Sequence, residues 1–222
     1  MIRIIDKKEE FVFHHPFRCT IVGPTSCGKT ELIQKICLNL NKLVDKTIER
    51  IVFCYKIWQD KYDIFNFLNT PVEFHQGLVN LKVFDSSTNN LLILDDLMNE
   101  CKDNEDVQNL FTVDSHHKQI SLIIVSHNIF TKGKCVRDLS LNSSYLILFY
   151  NPRDKVQIST LARQMYPGKS KEFMEIFNDA ISRDNGYGYL FLDLNVYTNN
   201  DMRIQSNIIW DEINHRILYL MN

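Results

Sequence analysis

Gly23-Pro24-Thr25-Ser26-Cys27-Gly28-Lys29-Thr30 is the stretch that decides the fold. It fits G-x-x-x-x-G-K-[ST], and its surroundings match what that pattern needs. The apolar run Phe17 to Val22 reads as a strand, and Lys29 to Val44 reads as a helix with Leu32, Ile33, Ile36, Leu40 and Leu43 on one face. A strand, a glycine loop and a helix together make an anion cradle. The glycines let backbone N–H groups turn inward around an anion, and the helix start adds its dipole and unpaired donors. Lys29 is placed to reach the β- and γ-phosphates of a nucleotide as a mobile point charge, and the Thr30 hydroxyl suits Mg²⁺. ATP and Mg²⁺ are the cofactors this loop calls for, with Gly23, Pro24, Thr25, Ser26, Cys27, Gly28, Lys29 and Thr30 as the binding residues.

Outward from the loop, apolar runs alternate with helical patterns. Strands are expected at Arg50 to Tyr55, Leu91 to Leu94, Ser121 to Val125, Tyr145 to Tyr150 and Tyr189 to Leu194, and helices around Asp106 to Phe111 and Val156 to Met165. Strands this uniformly apolar suit a parallel sheet covered on both faces, so the alternation predicts a three-layer α/β fold. Nothing in the seven Gly and five Pro marks a domain boundary, so 1–222 is read as one domain, with an extension at about 204–222. In that extension Ile209, Ile213, Ile217 and Leu220 fall at helical spacing.

Two further strand ends carry chemistry. Leu91-Leu92-Ile93-Leu94-Asp95-Asp96 puts two carboxylates at the C-terminal edge of a buried strand, where ligands sit in open α/β sheets. Asp95 is the candidate Mg²⁺ ligand beside Thr30, and Asp96 the candidate that polarises the attacking water. Leu122-Ile123-Ile124-Val125-Ser126-His127-Asn128 ends another buried strand in polar residues, and His127 or Asn128 is placed to sense a γ-phosphate. No N-K-x-D guanine signature stands in a usable place, and the arginines are too dispersed for the lid of a small-molecule kinase.

Composition bounds the partners. With 25 Lys plus Arg against 27 Asp plus Glu, the net charge of -2 excludes a uniformly basic nucleic-acid coat but not a local basic surface. Apolar residues make up 45% of 222, ample for one sizeable core. No apolar run approaches the roughly 20 residues of a membrane span, and the charged start MIRIIDKKEE has no signal-peptide pattern. The six cysteines show no C-x-x-C pair and are expected to be free thiols in a reducing compartment.

The ordered string of segments resembles the FtsK–HerA-like viral DNA-packaging ATPases, in particular those of Polinton/Maverick elements, adintoviruses and virophages, with poxvirus-type packaging ATPases as distant kin. The segments are GPTSCGKT, LLILDDLM at Leu91 to Met98, LF-x3-SHH at Leu110 to His117, Asn128-Ile129-Phe130, Arg137-x2-Ser140-Leu141-Asn142, LFYNPRD at Leu148 to Asp154, LARQMYP at Leu161 to Pro167 and YLFLDL at Tyr189 to Leu194. The resemblance spans roughly Phe17 to Arg203. It implies a P-loop NTPase of the additional-strand (RecA-like) type, a homo-oligomeric ring that hydrolyses ATP to pump double-stranded DNA, without sequence preference, into a capsid inside the host cell. The implied partners are that DNA, copies of the same chain and capsid proteins, with no membrane.

The sequence departs from the family twice. Asp96 stands where Glu is common, with Glu100 as a reserve carboxylate, and His127 stands where the sensor is usually Gln. An imidazole can still hydrogen-bond a phosphate, and its charge changes across the physiological pH range. The resemblance makes Arg137 and Arg153 candidates for an arginine finger given to a neighbouring subunit. Thr131-Lys132-Gly133-Lys134 with Arg137 is a short basic loop suited to DNA phosphates. Two other functions stay open at this level: a cellular-type DNA translocase or helicase, and a nucleotide-regulated capsid assembly factor without sustained turnover.

Overall fold

The computed structural model describes residues 2–7, 11–101, 104, 107, 109, 118–130, 142–209 and 215–221. Its elements are β1 (Ile2–Lys7), β2 (Arg18–Val22), α1 (Lys29–Leu38), α2 (Leu40–Leu43), β3 (Arg50–Tyr55), β4 (Val72–Gln76), β5 (Asn90–Asp95), α3 (Met98–Cys101), β6 (Ile120–Ser126), β7 (Tyr145–Phe149), α4 (Lys155–Met165), α5 (Ser170–Ser182), β8 (Tyr189–Asp193), β9 (Ile204–Ser206) and β10 (Arg216–Met221), with 3-10 segments that include Asp60–Phe67 and Asp184–Gly186.

The strands form one sheet in the order β1-β10-β9-β8-β7-β2-β6-β5-β3-β4. The six strands from β7 to β4 are mutually parallel. The remaining four continue the sheet antiparallel from β8 outward. The strand β6 lies between the glycine-loop strand β2 and β5, which is the additional-strand arrangement of a P-loop NTPase.

The period of two along each strand sorts the core into faces. Cys19, Ile21, Ile51, Phe53, Leu91, Ile93, Ile123, Val125 and Ile147 point to one side, where Leu32, Ile33 and Ile36 of α1 cover them. Their neighbours point to the other. There Leu146, Leu148, Leu190 and Leu192 meet Ile158 and Leu161 of α4 and Phe173, Ile176 and Phe177 of α5. Leu92, Leu94, Leu122 and Ile124 meet Leu97 and Cys101 at α3. Both faces being covered explains why β5, β6 and β7 read as continuous apolar runs.

Several local expectations need correction. The helix read from Lys29 to Val44 is two helices, because Asn39 leaves helical geometry (φ -118°, ψ 20°) and its side chain donates to the Lys35 carbonyl. Residues Ile217 and Leu220 lie on the strand β10, not on a helix, and β10 is held between β1 and β9. A stretch flanked by strands on both sides is apolar without alternation, and two apolar residues three or four apart cannot tell it from a helix. Ile213 lies outside the described residues, as does most of the expected helix at Asp106 to Phe111. No element expected from the sequence covers β1, β4, β9, α3 or α5. The cysteines Cys19, Cys27, Cys37, Cys54 and Cys101 are free thiols. Among the described residues no helix is long and apolar enough to cross a membrane.

Candidate nucleotide site

The glycine loop, both carboxylates and His127 meet at the C-terminal edge of β2, β5 and β6. The loop leaves β2 and is tied at once to the next strand, since the Gly23 N–H donates to the Ser126 carbonyl at 3.1 Å. Two positions need glycine for different reasons. At Gly23 a Cβ would lie 2.6 Å from the Cys27 sulfur and 2.7 Å from the Phe149 Cβ, so the loop can close only without a side chain. Gly28 has φ +104°, a backbone that L-residues rarely adopt, and it turns the chain into α1. Ser26, with φ 62°, makes the other left-handed turn of the loop.

Lys29 lies inside this turn, only 8% exposed, and its Nζ donates to the carbonyls of Gly23 (2.7 Å) and Pro24 (2.6 Å). Burial lowers its pKa, and the nearby carboxylates Asp95 and Asp96 partly offset that shift. Thr30 is buried in the first turn of α1. Because β6 separates β2 from β5, the tip of β5 stands two strand spacings from the loop, about 10 Å. That gap suits a phosphate group and a cation.

Asp95 is 5% exposed, and burial raises the pKa of its carboxyl. Tyr62, from the 3-10 segment Asp60–Phe67, donates its hydroxyl to Asp95 Oδ2 at 2.6 Å and accepts in turn from Gln59 Nε2 at 2.9 Å. Burial and the Asp95 carboxylate raise the phenol pKa, so Tyr62 stays a proton donor. The bond fixes Oδ2 and leaves Oδ1 for another partner. A buried carboxylate at the tip of β5 and a buried threonine hydroxyl at the start of α1 are oxygen donors of the kind that suits Mg²⁺, which takes few protein ligands and completes its shell with phosphate and water. Among the described residues no group of three or more His, Cys, Asp or Glu forms a metal cage.

Asp96 is exposed and holds a left-handed backbone (φ 58°). Its Oδ1 lies 3.2 Å from His127 Nε2, while His127 Nδ1 lies 3.3 Å from the Gly23 carbonyl. His127 thus bridges the water-facing carboxylate and the first residue of the cradle. Both partners are acceptors, so engaging both uses an N–H on each ring nitrogen.

Asn128 is turned elsewhere. Its Oδ1 accepts from Gln157 Nε2 at 3.0 Å, and Gln157 Oε1 accepts from the N–H groups of Ile129 (2.6 Å) and Phe130 (3.3 Å). Gln157 also pairs with Asp154, the N-cap of α4. Of the two sensor candidates, His127 therefore faces the cradle and Asn128 serves the loop behind it. Glu100, the reserve carboxylate, pairs with Lys56 at 3.6 Å. Arg153 is exposed just before α4, its backbone N–H bonded to Asn151, and its guanidinium has no partner among the described residues. Arg137, Lys132, Lys134 and Ser115-His116-His117 lie outside the described residues.

Tyr62 and Gln157 escape a sequence reading. Each acts through a contact of 28 residues or more in separation, and neither sits in a pattern with its partner.

No protein-family model matches the sequence, and no curated protein matches it. Solved structures do match in fold. The genome packaging NTPase B204 from Sulfolobus turreted icosahedral virus 2, in complex with sulfate, is similar with a TM-score of 0.59 at 13% identity, over 87% of this chain and 96% of that one. The same protein's complexes with AMPPCP and with ATP-gammaS give TM-scores of 0.54 and 0.53 at 14% and 13% identity, each over 86% of this chain and 96% of that one. At this identity the likeness establishes the fold.

Proposed function

We propose that this chain is an ATP-hydrolysing motor that packages double-stranded viral DNA into a capsid. In this reading it is an FtsK–HerA-like packaging ATPase of the Polinton/Maverick, adintovirus and virophage type, a single domain working as a homo-oligomeric ring inside the host cell. The observation that carries the reading is the convergence of Lys29, Thr30, Asp95, Asp96 and His127 on one glycine loop at one sheet edge. The fold likeness to a viral genome packaging NTPase supports it.

The chemistry assigned to each residue follows from its place. The loop N–H groups and Lys29 hold the phosphates, Lys29 exchanging its bonds to Gly23 and Pro24 for phosphate oxygens. Thr30 and Asp95 would hold Mg²⁺, which neutralises charge on the phosphate oxygens when bound. Asp96 accepts a hydrogen bond from the attacking water, and His127 holds Asp96 in place against the cradle. An Arg from a neighbouring subunit completes the charge around the transferring phosphoryl group. The test is ATP turnover measured with and without double-stranded DNA over a range of protein concentration. A motor is stimulated by DNA and by concentration, whereas a rate indifferent to both favours the assembly-factor alternative.

Two smaller predictions arise here. Tyr62→Phe removes the hydroxyl that fixes Asp95. Loss of such a supporting contact typically costs 10- to 100-fold in metal affinity, so the Mg²⁺ concentration for half-maximal ATP binding should rise about tenfold while tripolyphosphate binding without metal stays unchanged. An unaltered Mg²⁺ midpoint would rule out the positioning role.

For DNA, the basic sequence Thr131-Lys132-Gly133-Lys134 carries the assignment. Binding should be indifferent to base sequence and steeply dependent on salt, since released counterions drive it. Replacing Lys132 and Lys134 together with Ala should reduce the salt slope by about two. A strong preference for one base sequence would count against packaging.

A further inference from the structure

An exposed aromatic ring stands against the glycine loop on the side away from the carboxylates. Tyr187 is 55% exposed, and its Cδ1 lies 3.7 Å from where a Gly28 Cβ would be. The buried ring of Phe149 lies beneath at 3.5 Å from the same point. The bare Gly28 backbone thus has the exposed phenol ring of Tyr187 and the buried ring of Phe149 as its side-chain neighbours. More than half of this tyrosine beside the glycine loop is exposed, so part of its apolar ring is open to a ligand.

The chain is bent sharply to hold the ring there. Asp184 (φ 49°), Asn185 (φ 54°) and Gly186 (φ 89°) are left-handed in succession. Asp and Asn tolerate that region better than other side chains, yet a run of three is unusual, and such backbone gathers at ligand sites. The turn is fastened on both sides. The N–H groups of Gly186 and Gly188 both donate to the Arg183 carbonyl at 3.0 Å. A Cβ at Gly188 would meet the Ala180 carbonyl oxygen at 2.1 Å, so the turn sits directly on α5. The Arg183 side chain is held by Asp179 at 2.7 Å and by the Tyr219 hydroxyl at 3.1 Å.

The topology supplies the direction. Across the sheet edge the order is β8-β7-β2-β6-β5. Asp95, Asp96 and His127 rise from β5 and β6, on one side of the loop. Tyr187 precedes β8, whose first residue Tyr189 pairs with Phe149 at the C-terminal end of β7, on the other side. A nucleoside triphosphate with its terminal phosphate at the carboxylates runs through the loop and leaves its base on the β8 side.

We infer that Tyr187 is a nucleobase platform, stacking on the base of the nucleoside triphosphate held by the glycine loop. The inference rests on the nucleotide-site reading above and adds the end of the site that recognises the base. Stacking uses the π-face that every base has, so Tyr187 contributes affinity without choosing between ATP and GTP.

The experiment measures equilibrium binding of ATP, GTP and inorganic tripolyphosphate to the full chain, to Tyr187→Ala, to Tyr187→Phe and to Lys29→Ala. Tyr187→Ala should weaken ATP and GTP each about fivefold or more, fivefold being the low end for loss of one base–aromatic stack. It should leave tripolyphosphate unchanged, and Tyr187→Phe should behave as the unaltered chain. Lys29→Ala should weaken all three ligands, which marks loss of the cradle as distinct from loss of the platform. The inference is overturned if Tyr187→Ala binds ATP normally. It is equally overturned if tripolyphosphate weakens by the same factor, since the turn would then only brace the loop. If the unaltered chain binds neither ATP nor tripolyphosphate, the nucleotide-site reading falls and the platform with it.

Discussion

Lys29→Ala should lower ATP turnover by a factor on the order of 10² to 10³ or more, the scale expected when a charge-stabilising group aimed at a transition state is removed. Lys29 is buried at the centre of the loop and offers the cation there. Its loss also leaves the Gly23 and Pro24 carbonyls without the bonds they accept from it. That costs about 1–3 kcal/mol, or a fall in melting temperature of roughly 2–12 °C for a chain of this size. The variant should therefore keep the circular dichroism of the unaltered protein and melt somewhat earlier. Lys29→Arg should not rescue turnover, because a planar fork cannot take the place of a point charge in a closed turn. Turnover within tenfold of normal in purified Lys29→Ala would remove the basis for the nucleotide site.

Arg153→Ala is expected to have an effect of similar or larger size by a different route. An arginine finger is worth on the order of 10³ to 10⁵ in rate. Arg153 is exposed at the loop after β7 and bonds to nothing among the described residues through its guanidinium, so its removal should change stability by no more than about 0.5 kcal/mol. ATP affinity should stay within a few fold. If the finger acts on the neighbour's nucleotide, Arg153→Ala and Lys29→Ala proteins are each inactive alone but complement when mixed. Some boundaries in a mixed ring then join an intact loop to an intact arginine. The parallel experiment with Arg137→Ala decides between the two candidates. If both arginine variants turn over normally, catalysis does not pass through a finger at either position, and the assembly-factor alternative gains.

What the sequence determined by itself was the centre of the molecule. The strands β2, β3, β5, β6 and β7 were legible because strands buried on both faces are written as continuous apolar runs, and the turn of the glycine loop because it is set by residues a few positions apart in the chain. The edges were not. The strand β4 has no fully buried residue and so no apolar run, and β10 carries an apolar spacing that fits a helix as well. Only the tertiary structure decided which polar residues work together. It set His127 between Asp96 and Gly23, turned Asn128 away to Gln157, brought Tyr62 to Asp95 across 33 residues and placed Tyr187 beside Gly28. The physical reason is range. A loop conformation is set by residues within a few positions of one another, whereas a hydrogen bond between strand tips depends on strand order and register. Those are fixed by the burial of the whole sheet and not by any local pattern.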